Sequence, residues 1–321
     1  MKKNSKKQLV NIINSFRAVI ILVLMCIIAS FLSPAFLSVA NLFNVIRQIA
    51  VVAMIGCGMT FVILTGGIDL SVGSIVGICG AIAAGTLVAT GSTFLAMLVS
   101  VLIGIACGAC NGFFVSKCGI PPFIATLGMM TLLRGCILVY TKGAPIPVKA
   151  ASFKFVGKGD ILGIPFPIIL LIVIYIVAYF TLGHTKFGRS VYALGGNKEA
   201  TRLSGISVLK TEWMTYIING FMCSIAAIVL TARLGSAQST GGNGYELDAI
   251  AAVILGGTSL SGGSGFVLPT VVGALIMGII DNILTLLNVN PHATNIVKGA
   301  VILLAVLADK KVKDLSAKVD E

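Results

Sequence analysis

The stretch Met59–Ser74, MTFVILTGGIDLSVGS, decides how the chain reads. An apolar run stops at Gly66-Gly67, a carboxylate follows at Asp69, and apolar sequence resumes after Ser71. Glycine pairs followed by serine break a helix and free its backbone N–H and C=O groups. A bilayer tolerates such groups only beside protein or a watery cavity. The pattern returns 190 positions later (256 minus 66), where GGTSLSGGS (Gly256–Ser264) matches GGIDLSVGS (Gly66–Ser74) at six of nine positions. Paired interrupted segments in the two halves of a membrane chain point to a transport pathway. Gly66, Gly67, Asp69, Ser71, Gly256, Gly257, Ser259 and Ser261 are therefore the candidate pathway or helix-break residues.

The sequence around the two breaks is that of a membrane protein. The 321 residues are 57% hydrophobic and 11% charged, with a mean hydropathy of +1.05. A soluble domain carries about 25% charged residues, so a water-soluble enzyme and a disordered chain are both excluded. Thirty-seven glycines suit helices whose backbones approach closely in lipid. The net charge of +12 does not mark a nucleic-acid binder. The basic residues gather at the N-terminus (Lys2, Lys3, Lys6, Lys7, Arg17), between Lys186 and Lys210, and at Lys310, Lys311, Lys313 and Lys318, flanking apolar spans as the positive-inside rule produces. We divide the chain into a basic cytoplasmic head (1–16), a transmembrane domain (17–309) and a cytoplasmic tail (310–321).

Crossing about 30 Å of hydrocarbon takes roughly 17–25 apolar residues in a helix. Runs near 18–37, 43–65, 70–90, 93–115, 122–140, 164–183, 211–232, 267–287 and 293–308 qualify, and a shorter one covers Glu246–Leu260. Two basic termini on the same side need an even number of crossings, so the expected fold class is an all-α polytopic membrane protein of about ten transmembrane helices. The first run is long and more spans follow at once, so it reads as a helix and not as a cleaved signal. With the N-terminus inside, 186–210 is inside too, the two glycine breaks are parallel copies, and Thr141–Gly163 and Ser236–Tyr245 lie outside. Thr141–Gly163 reads as the longest non-helical stretch, an external loop or short re-entrant element. Its Lys142, Lys149, Lys154 and Lys158 defy the charge rule against Asp160 alone, and these lysines are candidates for docking an acidic external partner.

Catalytic chemistry is not expected. GHTKFGRS (Gly183–Ser190) approaches a phosphate loop, but Arg189 stands where lysine is needed and a membrane span precedes it instead of a strand. Among the eight cysteines a C-x-x-C spacing occurs once, at Cys107 and Cys110, without a second pair or a nearby histidine. Four metal ligands cannot be assembled there. No Ser-His-Asp set or paired carboxylates can be made out. Asp69, Arg134 and Asp281 are the candidate ionisable groups within spans, with Glu246 and Asp248 near a span's start; such groups are costly at membrane depth, and Asp69 with Arg134 is a candidate ion pair. Between two spans, Asn197 is placed to cap a short polar helix with Glu199 in its first turn and Gly205 at its end. A polar helix in that position suits docking against a soluble partner.

Four strings resemble one family: MTFVILTGGIDLSVGS (Met59–Ser74), YALGGNKEATRLSGI (Tyr192–Ile206), NGYELDAIAAVILGGTSLSGG (Asn243–Gly263) and VKGAVILLAVLADK (Val297–Lys310). They are similar to the permease subunits of ribose-type sugar ABC importers, from about residue 17 onward. The resemblance implies a permease in the bacterial cytoplasmic membrane, paired with a second permease copy. It implies two cytosolic ATPase subunits, which would hold ATP and Mg, and an extracellular or periplasmic sugar-binding protein. It assigns Asn197, Glu199, Ala200, Arg202 and Gly205 to a cytoplasmic coupling helix seated in the ATPase, although Thr201 departs from the E-A-A…G form of other importers. It implies alternating access with no catalytic residue, metal or cofactor in this chain. Aromatics make up 7% and Trp213 is the sole tryptophan, so no sugar-stacking site is evident. A branched-chain amino acid permease, an ion-coupled carrier using Asp69, Glu246, Asp248 or Asp281, and a passive channel are the alternatives.

Overall fold

The structure is a computed structural model, and it describes residues 18–290, 293–304, 306 and 307. The basic head and the tail expected at 1–16 and 310–321 lie outside the described residues. The chain folds into helices joined by short turns. They are α1 (Ala18–Leu32), α2 (Val39–Leu64), α3 (Val72–Thr90), α4 (Thr93–Gly112), α5 (Pro122–Thr141), α6 (Ala151–Lys158), α7 (Phe166–His184), α8 (Lys186–Gly196), α9 (Lys198–Leu203), α10 (Val208–Leu234), α11 (Tyr245–Leu255) and α12 (Leu268–Leu286), followed by α13 (Ala293–Leu304). Seven of them, α2, α3, α4 with its terminal π-turn, α5, α7, α10 and α12, are long and apolar enough to cross a membrane. The chain is an all-α polytopic membrane protein.

Local chemistry sets the helix ends. Ser38, Ser92, Thr185 and Asn197 cap α2, α4, α8 and α9 by accepting a backbone N–H two or three positions into the helix. Proline opens α5, α7 and α12, where a missing N–H costs nothing. Gly91 and Gly235 close α3 and α10 in the left-handed conformation.

Helix α10 is the hub, packed against α2, α3, α4 and α6. Its contact with α4 is backbone on backbone. A Cβ at Gly104, Gly108 or Gly112 would run into Gly220, Tyr216 or Trp213 respectively. This small-x-x-x-small stripe lets the helices approach where side chains would hold them apart. The outer helices present apolar faces to the surroundings: Ile172, Val173, Ile176, Val177 and Phe180 on α7, and Phe123, Ile124, Leu132 and Val139 on α5 are all exposed. Apolar surface on that scale belongs in lipid.

The structure departs from the sequence expectations at one segment and adds detail at two others. Thr141–Gly163 is not a plain loop: it contains α6, whose Phe153 and Gly157 are buried, with β1 (Ile146–Pro147) before it and β2 (Asp160–Ile161) after it. Strand β2 pairs with β3 (Ile164–Pro165), and β1 pairs with β4 (Ser236–Ala237). The polar connection after α7 holds two helices; α8 was unforeseen because its apolar residues, Val191 and Leu194, are buried against the bundle in a segment read only for its polarity. Ser236–Tyr245 folds back along α3, with Gly242 against Gly73 and Gly241 beside Gly77. From there α11 begins. Its 11 residues span about 16 Å at 1.5 Å per residue, so it cannot cross a membrane alone.

Candidate functional site

Both glycine repeats interrupt helices, and they meet. The first separates α2 from α3. Gly66 adopts φ +80°, and a Cβ on Gly67 would lie 2.7 Å from the Tyr216 hydroxyl. The second separates α11 from α12, with Gly257, Gly262 and Gly263 at φ of +93°, +80° and +73°, values that only glycine adopts without strain. Gly263 N donates to Leu64 O at 2.9 Å, and Gly262 packs on the Gly66 amide. The Ser259 hydroxyl accepts from Ser261 N at 3.2 Å, which tightens the second turn.

Helix α8 lies across this seam. A Cβ on Gly195 would clash with Leu64 O and Gly263 N, so the α8 backbone touches both breaks at once. Tyr192 pins the same helix by donating its hydroxyl to Gly265 O at 2.9 Å. Burial holds that phenol above its ordinary pKa, so it remains a donor. Beyond α8 comes α9. Asn197 Oδ1 accepts from Ala200 N at 2.9 Å, Glu199 pairs with Arg202 on the surface at 2.9 Å, and Gly205 ends the turn at φ +77°. Leu203 at its tip is 82% exposed. That apolar side chain stands out on an otherwise polar helix and is not among the residues singled out from sequence. Lys198 reaches back to the buried Glu212 on α10 at 3.2 Å.

Asp69 is fully buried in the first break. Its carboxylate accepts from Ser71 N (2.9 Å), Ser71 Oγ (2.6 Å), Asn219 Nδ2 (2.9 Å) and Asn111 Nδ2 (3.3 Å). Four protein donors surround the carboxyl, and no cation stands beside it among the described residues. The α4 partner Asn111 sits just before a π-turn, Phe113–Lys117, a distortion that often marks functional positions. The Asp69–Arg134 ion pair considered from sequence does not form: Arg134 Nη1 donates instead to Gly241 O at 2.8 Å, in the segment that folds back along α3.

The remaining buried charges collect elsewhere. Lys298 Nζ lies 2.9 Å from both Asp248 Oδ2 and Asp281 Oδ1, joining α11, α12 and α13. Glu246 Oε1 accepts from Gly244 N at 3.3 Å. Sequence reading named the carboxylates but not Lys298, whose 50-residue separation from Asp248 carries no local signal. Lys142, Lys149 and Lys158 are exposed and Lys154 is half-buried, on and beside α6 at the end of the bundle opposite α9. Among the described residues no group of three or more His, Cys, Asp or Glu gathers.

Comparison with known proteins places this architecture. The family model described as branched-chain amino acid transport system / permease component matches residues 41–306. The chain is 48% identical to the ribose import permease protein of Escherichia coli K12, covering 92% of this chain and 93% of that protein. It is 47% identical to its Bacillus subtilis counterpart, over 90% and 91%. The D-allose transport system permease protein of Escherichia coli K12 is 38% identical over 91% of this chain and 90% of its own length. No solved structure matches the chain. A family match over most of the length, together with relatives that align nearly end to end, leads to one conclusion: this chain belongs to the branched-chain amino acid transport system / permease component family, and it is a membrane transport permease.

Proposed function

We propose that the chain is the membrane-spanning subunit of an ATP-driven importer of a simple sugar, with ribose the first candidate substrate. The relatives named for ribose import are 47–48% identical, against 38% for one named for allose and 33% for one named for xylose. One observation carries the mechanism: α8 touches both glycine breaks through Gly195 and ends in the exposed helix α9. Movement imposed on α9 therefore reaches the two interrupted segments through backbone contacts alone. In this reading Asn197, Glu199, Ala200, Arg202 and Gly205 seat in a cytosolic ATPase, where ATP and Mg reside. Gly66, Gly67, Ser71, Gly256, Gly257, Ser259 and Ser261 form the inner gate, and Asp69 staples it to α4 and α10.

The basic residues Lys186, Arg189, Lys198, Arg202 and Lys210 favour a cytoplasmic position for the α8–α9 end. Ten segments then connect the two sides of the bacterial cytoplasmic membrane: α1, α2, α3, α4, α5, α7, α10, α11 with its re-entrant approach, α12 and α13. Both termini are cytoplasmic. A second permease copy completes the pathway, and an external sugar-binding protein docks on the face carrying Lys142, Lys149, Lys154 and Lys158. Reconstitution tests the reading. Vesicles holding the permease, its ATPase and the binding protein take up labelled ribose only with ATP inside. Uptake driven by an ion gradient and abolished by an ionophore would point instead to a carrier that uses the buried Asp69.

A further inference from the structure

At the end of the bundle opposite α9, a cavity of about 700 Å³ opens between α2, the end of α12 and the start of α13. Its position follows from the helix directions. Gly256 and Pro269 touch near the glycine seam, so α12 starts at the α9 end and finishes at the far one. There Asn282 exchanges amide hydrogen bonds with Asn41 near the beginning of α2, at 2.8 and 3.0 Å.

The lining is unlike the rest of the chain. Gln48, Asp281, Thr285, Asn288, Thr294 and Asn295 face the space, and Val289 is the one apolar residue among the described lining. Gln48 lies nine residues into α2 and Asp281 five residues before the end of α12. At 1.5 Å per residue the polar wall reaches roughly 7–13 Å below the helix ends. Amides and hydroxyls at that depth cannot face hydrocarbon without losing their hydrogen bonds, so they face water, solute or protein. The one carboxylate is already held by Lys298 at 2.9 Å. What remains is neutral: the amides of Gln48, Asn288 and Asn295 each offer a donor and an acceptor side by side, while the Thr285 and Thr294 hydroxyls, which donate to Asp281 O and Asn290 O, add acceptors. A neutral polyhydroxylated solute answers that chemistry; an anion or a metal ion does not. The volume falls within the usual range for small-molecule sites. The Asp69 cluster is no rival, being fully buried with its carboxylate filled by protein donors.

We propose that this cavity is the external vestibule through which the sugar enters the permease, with Gln48 and Asn295 among the groups that hydrogen-bond it on passage. The inference rests on the permease reading above and names the side chains that meet its substrate. The test uses the whole assembly in vesicles, with labelled ribose as the probe, and compares Gln48→Leu, Asn295→Leu and the amide-retaining Gln48→Asn. Each leucine variant is expected to move about tenfold less ribose per ATP hydrolysed, the scale of one hydrogen bond left unmade in a partly desolvated site. ATPase stimulation by the loaded binding protein should stay within about twofold of the parent, which reports intact assembly, and Gln48→Asn should recover most of the transport. Parental uptake in both leucine variants overturns the proposal. So does a parallel loss of uptake and ATPase stimulation, which would assign these side chains to assembly. If the unaltered assembly moves no ribose on ATP, the permease reading itself falls, and the vestibule with it.

Discussion

Asp69 offers the sharpest test of what holds the inner break in place. Replacing it with alanine removes a carboxylate that accepts from the Ser71 amide, the Ser71 hydroxyl and two asparagine side chains. Ser71 Oγ and Asn111 Nδ2 retain each other at 2.7 Å, which leaves the Ser71 N–H and the Asn219 amide stranded in a fully buried site. At about 1–3 kcal/mol per unsatisfied donor, with a small cavity added, Asp69→Ala should destabilise the protein by about 3–5 kcal/mol. Asparagine behaves differently. Its oxygen replaces the one that faces Ser71, and its amide meets Asn219, whose Oδ1 is buried without a partner and accepts after a flip of that side chain. Asp69→Asn should therefore cost about 1 kcal/mol and keep transport. Denaturant titration in mixed micelles measures both variants, and a cycle with Asn219→Ala should return a coupling of about 1–3 kcal/mol. The staple is refuted if Asp69→Ala lies within 1 kcal/mol of the parent. It is equally refuted if asparagine costs as much as alanine or abolishes ATP-driven uptake, which would make the negative charge itself the requirement.

Three further outcomes are expected. Leu203→Glu, at an exposed tip, and Gly205→Val, at φ +77°, should leave the permease folded while ATPase co-purification and uptake fall by about tenfold or more; normal values in both would detach α9 from coupling. Lys298→Met leaves Asp248 and Asp281 facing each other without their shared cation, and the same titration should show a loss of about 3–5 kcal/mol. Asp281→Asn, which keeps the Lys298–Asp248 pair, should cost clearly less. Charge reversal at Lys149 and Lys158 should slow uptake at low ionic strength and flatten its dependence on salt; variants that match the parent there would reduce that face to a connector.

Features written in consecutive residues were legible from the sequence. Hydropathy located every long apolar helix to within a few residues, because hydrocarbon thickness sets a length that sequence must match. The caps at Asn197 and Gly205 and the two glycine breaks are equally local: a capping side chain acts within one turn, and positive φ is least strained where glycine stands. One longer signal was present and unread: Gly104, Gly108 and Gly112 recur at the four-residue spacing that announces a close helix contact. Composition and order alone thus determined that this chain is a polytopic helical membrane protein interrupted at two related points. Only the tertiary structure decided which distant groups meet. It brought the two breaks together under Gly195 and gave Asp69 the amides of Asn111 and Asn219 instead of Arg134. It also set Lys298 between Asp248 and Asp281 and folded 236–245 back along α3. Such pairings depend on how helices rotate and slide against one another, and that is settled by close packing of small residues across the whole bundle, a property that no single stretch of sequence contains.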